Sequence, residues 1–342
     1  MAIPIQNIYY LLCYAWNKLD ESEIIDVKNI DSTELVDLFA KVLSNGVSRL
    51  LKQGLDRYYI EQEHYEYGIK GKLKLSATIK QNTLPLQSTI CDYDEFEFDI
   101  LHNQILKTTI NKLLRTKSLN SDIKDELHKL YIKLPLITEI SIRNAHFNQI
   151  RLHRNNYHYD FLLKVCQILH DNFFIDESSG VYKFKDFLRE EKAMARLFEA
   201  FVRNFYKLES EYSVSRDSIY WKFVSESPEA FNMLPAMNTD ITLRLGTRKI
   251  IIDTKYYKEA FQTYFDKQMI NSSNLYQLFS YLLNQEDGTE LSRTCEGILL
   301  YPSVDDDFEH NFRYQNLKIK IKSINLNQDW QMIKTELLQI VN

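Results

Sequence analysis

The stretch Met237-Asn238-Thr239-Asp240-Ile241-Thr242-Leu243-Arg244-Leu245-Gly246-Thr247-Arg248-Lys249-Ile250-Ile251-Ile252-Asp253-Thr254-Lys255 reads as two strands joined by a tight turn. A Gly-X pair suits a two-residue type II′ turn, whose first position needs positive φ. Centring the turn on Gly246-Thr247 pairs Leu245 with Arg248 and, working outward, Asp240 with Asp253. The two carboxylates then sit opposite each other, with Cβ atoms ~5 Å apart. Lys255 is two residues beyond Asp253 and shares its face. Carboxylates this close repel, and one pKa rises. A divalent cation reverses that cost, and Mg²⁺ prefers carboxylates, waters and phosphate oxygens. A neighbouring lysine can orient or deprotonate an attacking water, or stabilise developing charge. The chemistry that fits is metal-assisted hydrolysis of a phosphodiester. The competing interpretation is an ordinary hairpin with solvated charges. A lone Asp-x-Lys triplet is common, but three charged residues in register beside Ile250-Ile251-Ile252 carry more information.

Two flanking helices bear on this hairpin. Residues 186–207 read as a long helix carrying Glu199 among apolar neighbours, where it either points at the metal or is solvated. A helix over about 266–285 places Gln277 and Tyr281 four residues apart on one face, positioned to touch substrate or brace the hairpin. Extended segments are expected at 211–224, 237–245, 248–255, 296–301 and 314–324, with a last helix at 328–341. This gives an α/β carboxy-terminal domain.

The amino-terminal half is patterned differently. Helices are expected at 6–19, 34–53, 102–116 and 121–133. Residues 57–66 look extended, 72–80 (KLKLSATIK) alternate with a strand period, and 86–98 resume strand-like composition. Residues 72–98 are therefore expected to form a projecting hairpin. Its acidic strand, Asp92 to Asp99, would face Lys70, Lys72, Lys74 and Lys80. The polar, aperiodic segment 144–160, followed by a helix at 160–173, marks the expected boundary. The division is an α+β domain over 1–155 and the α/β domain over 156–342.

Composition narrows the function. Glycine occurs 8 times in 342 residues and never in a cluster, so no phosphate-cradling loop exists, neither GxxxxGK[ST] nor GxGxxG. Any nucleotide hydrolysis belongs to another chain. Residues 1–150 carry 18 basic and 20 acidic side chains, and 151–342 carry 24 and 27, so neither half has the basic excess of a protein that grips duplex DNA alone. DNA contact must then be local, metal-assisted or borrowed from a partner. Four separated cysteines make no metal or redox motif and suggest a reducing cytoplasm. No signal peptide or membrane-spanning run is expected.

Asp240, then Asp253-Thr254-Lys255 on a hairpin, then a QxxxY helix, resembles the PD-(D/E)xK nuclease superfamily. Within it the chain resembles the McrC family, nuclease subunits of McrBC modification-dependent restriction systems. The segments that carry this are Pro4 to Tyr10 with Tyr14-Ala15-Trp16, Gly68-Ile69-Lys70-Gly71, Lys133-Leu134-Pro135, Leu234-Pro235, Thr239 to Thr242, Asp253 to Lys258, Asn274 to Leu278 and Leu299 to Pro302. The superfamily's proline before the first Asp is Thr239 here, as in McrC-like chains. The resemblance implies Asp240 and Asp253 as metal ligands, with Glu199 and Thr254 as the remaining candidates, Mg²⁺ or Mn²⁺ as the cofactor, and Lys255 as the catalytic lysine. It implies a hexameric McrB-like AAA+ GTPase partner whose ring receives and is stimulated by the amino-terminal domain. It also implies double-stranded DNA carrying modified cytosine as substrate, and self-association that bridges two rings. Two other functions compete: a ring activator that has lost nuclease activity, and a stand-alone RecB-like nuclease. The intact Asp240, Asp253 and Lys255 weigh against the first, and the large, acidic amino-terminal domain against the second.

Overall fold

The architecture comes from a computed structural model, which describes residues 3–19, 34–67, 72–81, 85, 88–134, 136–175, 182–185, 190–224, 227–256, 261–264, 267–304 and 307–342. Helices and strands are mixed throughout, and the chain divides into two compact units. One comprises Met1–Glu34 with Asp186–Asn342, the other Leu35–Lys185. This departs from the division at 155/156. The first helix, Ile5–Ala15, packs its aromatic side chains in the first unit, where Tyr10 stacks on Trp330 at 4.7 Å and Tyr14 meets Phe201 at 5.8 Å. Asn7 Nδ2 donates to the carbonyls of Leu326 and Gln328, both at 2.8 Å. An amphipathic helix goes where its apolar stripe is buried, not where its neighbours in sequence lie. Likewise 144–160 is not the boundary but lies inside the unit Leu35–Lys185. It leads into helix Tyr159–Asn172, whose buried Tyr159 hydroxyl donates to Asn103 Oδ1 at 2.8 Å and accepts from the Asp56 N–H at 2.9 Å.

The first unit is built on a six-stranded sheet. Its spatial order is Glu309–Tyr314, Leu317–Asn325, Glu296–Ser303, Arg248–Thr254, Ile241–Leu245 and Ser213–Ser215. Arg248–Thr254, Glu296–Ser303 and Leu317–Asn325 run parallel, and the other pairings are antiparallel. Helix Ser272–Asn284 covers one face, and Gly297 lets it approach closely: a Cβ there would stand 2.7 Å from Leu282 Cδ1. Helix Glu191–Glu209 also packs on the central strand. A strand covered on both faces needs a continuous apolar run rather than an alternating one, and Ile250-Ile251-Ile252 supplies it. The helix expected at 266–285 is shorter, Ser272–Asn284, and follows a small hairpin of Phe261–Tyr264 with Lys267–Ile270. The edge strand Glu309–Tyr314 was not expected from the sequence; its alternation is short, with only Phe312 and Tyr314 as large apolar residues, and all six residues are exposed.

The second unit corrects the expected hairpin. The acidic strand Thr89–Glu97 pairs along its whole length with Tyr58–Glu66, and among the described residues only Lys72–Leu73 joins from the other side. Residues Leu75–Lys80 are helical. The alternation covers just Lys72 to Leu75; beyond it Leu75, Thr78 and Ile79 recur at helical spacing. The buried Thr78 hydroxyl then accepts from the Ile90 N–H at 2.9 Å, fixing the helix to the ribbon. Of the lysines expected to face the acids, only Lys72 lies in register, opposite Asp92, while Lys70 falls outside the described residues, as do Gly68, Ile69, Gly71, Pro135, Tyr257 and Lys258. Acid stands opposite acid instead, Glu61 with Asp94 and Glu63 with Asp92.

Candidate active site

The central hairpin has the expected register. Leu245 pairs with Arg248, and the ladder runs outward to Ile241 with Ile252. Gly246 takes φ +56°, as the first position of a type II′ turn requires. One step beyond the ladder come Asp240 and Asp253. Here the backbone pairing gives way to side chains: the Asp240 Oδ2 accepts from the Thr254 N–H at 2.9 Å and from the Thr254 hydroxyl at 3.1 Å. Thr239, just before Asp240, is buried; its hydroxyl accepts from the Asp217 N–H at 2.9 Å and lies 3.0 Å from the Thr242 hydroxyl. These bonds hold Asp240 at the strand end.

Asp253 is fully buried, and Lys255 Nζ stands 2.6 Å from its Oδ2 as an ion pair. Among the described residues neither carboxylate oxygen completes a hydrogen bond of good geometry. Burial pushes the carboxyl pKa up to about 7; the Lys255 charge opposes this, while those of Asp240 and Glu199 add to it. Lys255 also donates to Gln277 Oε1 at 3.0 Å. Gln277 Nε2 donates to the Tyr281 hydroxyl at 2.6 Å, and that hydroxyl donates to the Asn238 carbonyl at 3.0 Å. A single chain of bonds thus runs from the lysine through the QxxxY helix and back to the hairpin. Burial raises the Tyr281 pKa, so the phenol stays protonated and able to donate.

Glu199 sits on the helix Glu191–Glu209, within electrostatic reach of Asp253, but its Oε1 is held by Arg203 at 2.8 Å and by Arg216. Among the described residues no group of three or more His, Cys, Asp or Glu side chains is gathered as a metal cage. The donor set nevertheless fits a hard cation of low protein-ligand count. A buried carboxylate oxygen without a donor, next to a second carboxylate, is what an oxygen-seeking cation needs, and Mg²⁺ commonly takes only one or two protein carboxylates. Sequence reasoning missed Arg203, Arg216 and the bracing role of Thr239. Arg203 was readable as the i+4 partner of Glu199, whereas Arg216 is brought in only by the fold.

The profile of the family described as McrBC 5-methylcytosine restriction system component matches residues 6–302. The chain belongs to this McrBC family. It is 35% identical, over 341 residues, to the type IV methyl-directed restriction enzyme EcoKMcrBC of Escherichia coli strain K12, covering 99% of this chain and 97% of that protein. Among solved structures it is similar in fold to a chain of the half-complex of Thermococcus gammatolerans McrB AAA+ hexamers with bound McrC. That match has a TM-score of 0.63 at 19% identity, covering 99% of this chain and 76% of the other. No helix among the described residues is long and apolar enough to cross a membrane. Of the motifs quoted from the sequence, the hairpin, the QxxxY helix and strand Glu296–Ser303 all meet in one unit of this McrBC-family chain.

Proposed function

We propose that this chain is a McrC-type nuclease subunit with a PD-(D/E)xK site, hydrolysing DNA phosphodiester bonds within a GTP-dependent restriction complex directed to modified cytosine. The observation that carries this is the fully buried Asp253, its Oδ2 held against the Lys255 ammonium and its Oδ1 without a donor among the described residues, beside Asp240 at the end of the central strand. Asp240 and Asp253 would hold Mg²⁺ or Mn²⁺, with Thr254 bracing Asp240 and Glu199 at the margin. The metal, when bound, acts as a Lewis acid on a phosphodiester oxygen. Lys255 keeps its ammonium beside the reacting phosphate, orienting the attacking water and stabilising charge that develops on it. Gln277 and Tyr281 fix the lysine's direction, since each accepts or donates along one chain of bonds. The partner is a McrB-like AAA+ GTPase hexamer, in keeping with the absence of a phosphate loop here and with the assembly of the structural relative. We assign the ribbon-bearing unit Leu35–Lys185 to that partner, and self-association to the bridging of two rings.

The test is cleavage of a modified-cytosine duplex with partner, GTP and Mg²⁺ present. Asp253→Ala and Lys255→Ala should each abolish cutting while partner binding persists. Wild-type cutting by Lys255→Ala would remove the lysine from the mechanism. A second function, activation of the ring without nuclease activity, is favoured by the two arginines that occupy Glu199. It would be established if wild-type chain stimulates GTP turnover yet never cuts.

A further inference from the structure

At the other end of the same sheet lies a cleft of about 440 Å³, lined on its charged side by Arg248, Glu296, Arg313, Lys318 and Lys320. It begins where the parallel strands begin, whereas Asp253 lies where the central strand ends. Arg248 and Asp253 are five residues apart on one strand, about 16 Å at ~3.3 Å per residue, and alternate to opposite faces. The cleft is therefore separate from the candidate active site.

Its charge arrangement is unbalanced. The register sets Arg313 directly opposite Lys318 on the antiparallel edge pair, and like charges facing each other are destabilising. Lys318 lies across from Glu296 on its other side, but Glu296 is engaged by Arg248 through two bonds, at 2.8 and 3.1 Å, and reaches Lys318 only at 3.8 Å. Those cations hold the Glu296 carboxyl below its usual range despite burial. Lys320 donates to the Ile340 carbonyl at 2.9 Å, and Lys318 is 59% exposed. Asn342 stands on the rim; even counting a carboxylate there as a second acid, positive charge exceeds negative by two. A concave site with exposed, under-compensated Arg and Lys on adjacent strands is suited to phosphate oxygens, because a guanidinium fork and an ammonium can share one anion.

We propose that this cleft is a phosphate-binding subsite that holds the backbone of a DNA segment distinct from the one being cut, resting on the DNA-cleaving function proposed above. It supplies the local basic contact that the acidic balance of the whole chain otherwise withholds.

The experiment titrates a labelled DNA duplex and, separately, GTP against the full chain by fluorescence anisotropy, over a range of salt. The chains are wild type, Arg313→Ala/Lys318→Ala and Asp253→Ala, with circular dichroism confirming the fold of each. Each phosphate contact contributes ~0.9 to the slope of log K against log salt, so the double variant should lose about 1.8. Between about 50 and about 200 mM salt, wild-type affinity should fall about tenfold more than that of the double variant. Introduced into Asp253→Ala, which fails to cut, Arg313→Ala/Lys318→Ala should lower the salt slope by the same amount, about 1.8, which separates the cleft from the nuclease site. GTP binding lost in the double variant while its DNA binding is unchanged would overturn the DNA assignment and make a free nucleotide the source of the phosphate. Unchanged binding of both ligands by the double variant, or no binding of either by wild type, would overturn the proposal whatever the outcome of the cleavage assay.

Discussion

Asp253→Asn should stabilise the metal-free chain at alkaline pH even as it destroys the site. The carboxyl is fully buried and its pKa is pushed from 3.8 to about 7, first by burial. Between those two pH values the folded chain binds more protons at this group than the unfolded chain does, so its contribution to stability falls as pH rises through the window. Below about 4 both states are protonated and the cost vanishes; above about 7 it is complete. At ~1.4 kcal/mol per pH unit the full cost is about 4 kcal/mol. An amide of the same shape avoids it but leaves N–H donors facing Lys255, which costs about 1–3 kcal/mol. The variant should therefore be more stable than wild type by about 1–3 kcal/mol near pH 8, with the advantage shrinking and reversing towards pH 4. Mg²⁺ at about 100 times its dissociation constant should stabilise wild type by about 2.7 kcal/mol and leave the variant unmoved. Urea denaturation at several pH values, with and without Mg²⁺, measures all of this. A stability difference between variant and wild type that does not change with pH would refute the claim that burial governs this carboxyl.

The remaining predictions concern the lysine's support, the packing under it and the ribbon. Gln277→Ala should lower the cleavage rate about ten- to a hundredfold with little change in substrate affinity, because it frees Lys255 to move by about 1 Å, and single-turnover kinetics would show the split. Gly297→Ala should cost about 1–3 kcal/mol in chemical denaturation, since the added Cβ meets Leu282 and Leu278 at 2.7 and 3.2 Å. Glu63→Lys, which places a cation opposite Asp92, should raise stability by about 0.2–1 kcal/mol. The same substitution should weaken stimulation of partner GTP turnover if the ribbon engages the ring through its acidic charge.

The sequence by itself determined the central hairpin. A Gly-X turn between two strand-patterned segments and an apolar triplet leave one register, and that register brings Asp240, Asp253 and Lys255 to one strand end. It also determined that Gln277 and Tyr281 share a helix face, because i and i+4 are neighbours on any helix. These are local relations, governed by turn geometry and by the periods of strand and helix. Tertiary structure alone decided that Arg216 reaches Glu199 across 17 residues, giving that half-buried carboxylate a second cation beside Arg203. It decided that helix Ile5–Ala15 joins the carboxy-terminal unit, because its aromatic stripe finds Phe201 and Trp330 there. It decided that the acidic strand pairs along its length with Tyr58–Glu66 and meets the lysine-rich segment at Lys72–Leu73, since Leu75, Thr78 and Ile79 close a helical turn before a second long strand can form. And it placed Arg313 opposite Lys318 on an exposed edge strand whose alternation is too short to announce it. Long-range pairing of this kind depends on which surfaces remain to be buried once local elements have formed, and no window of sequence contains that information.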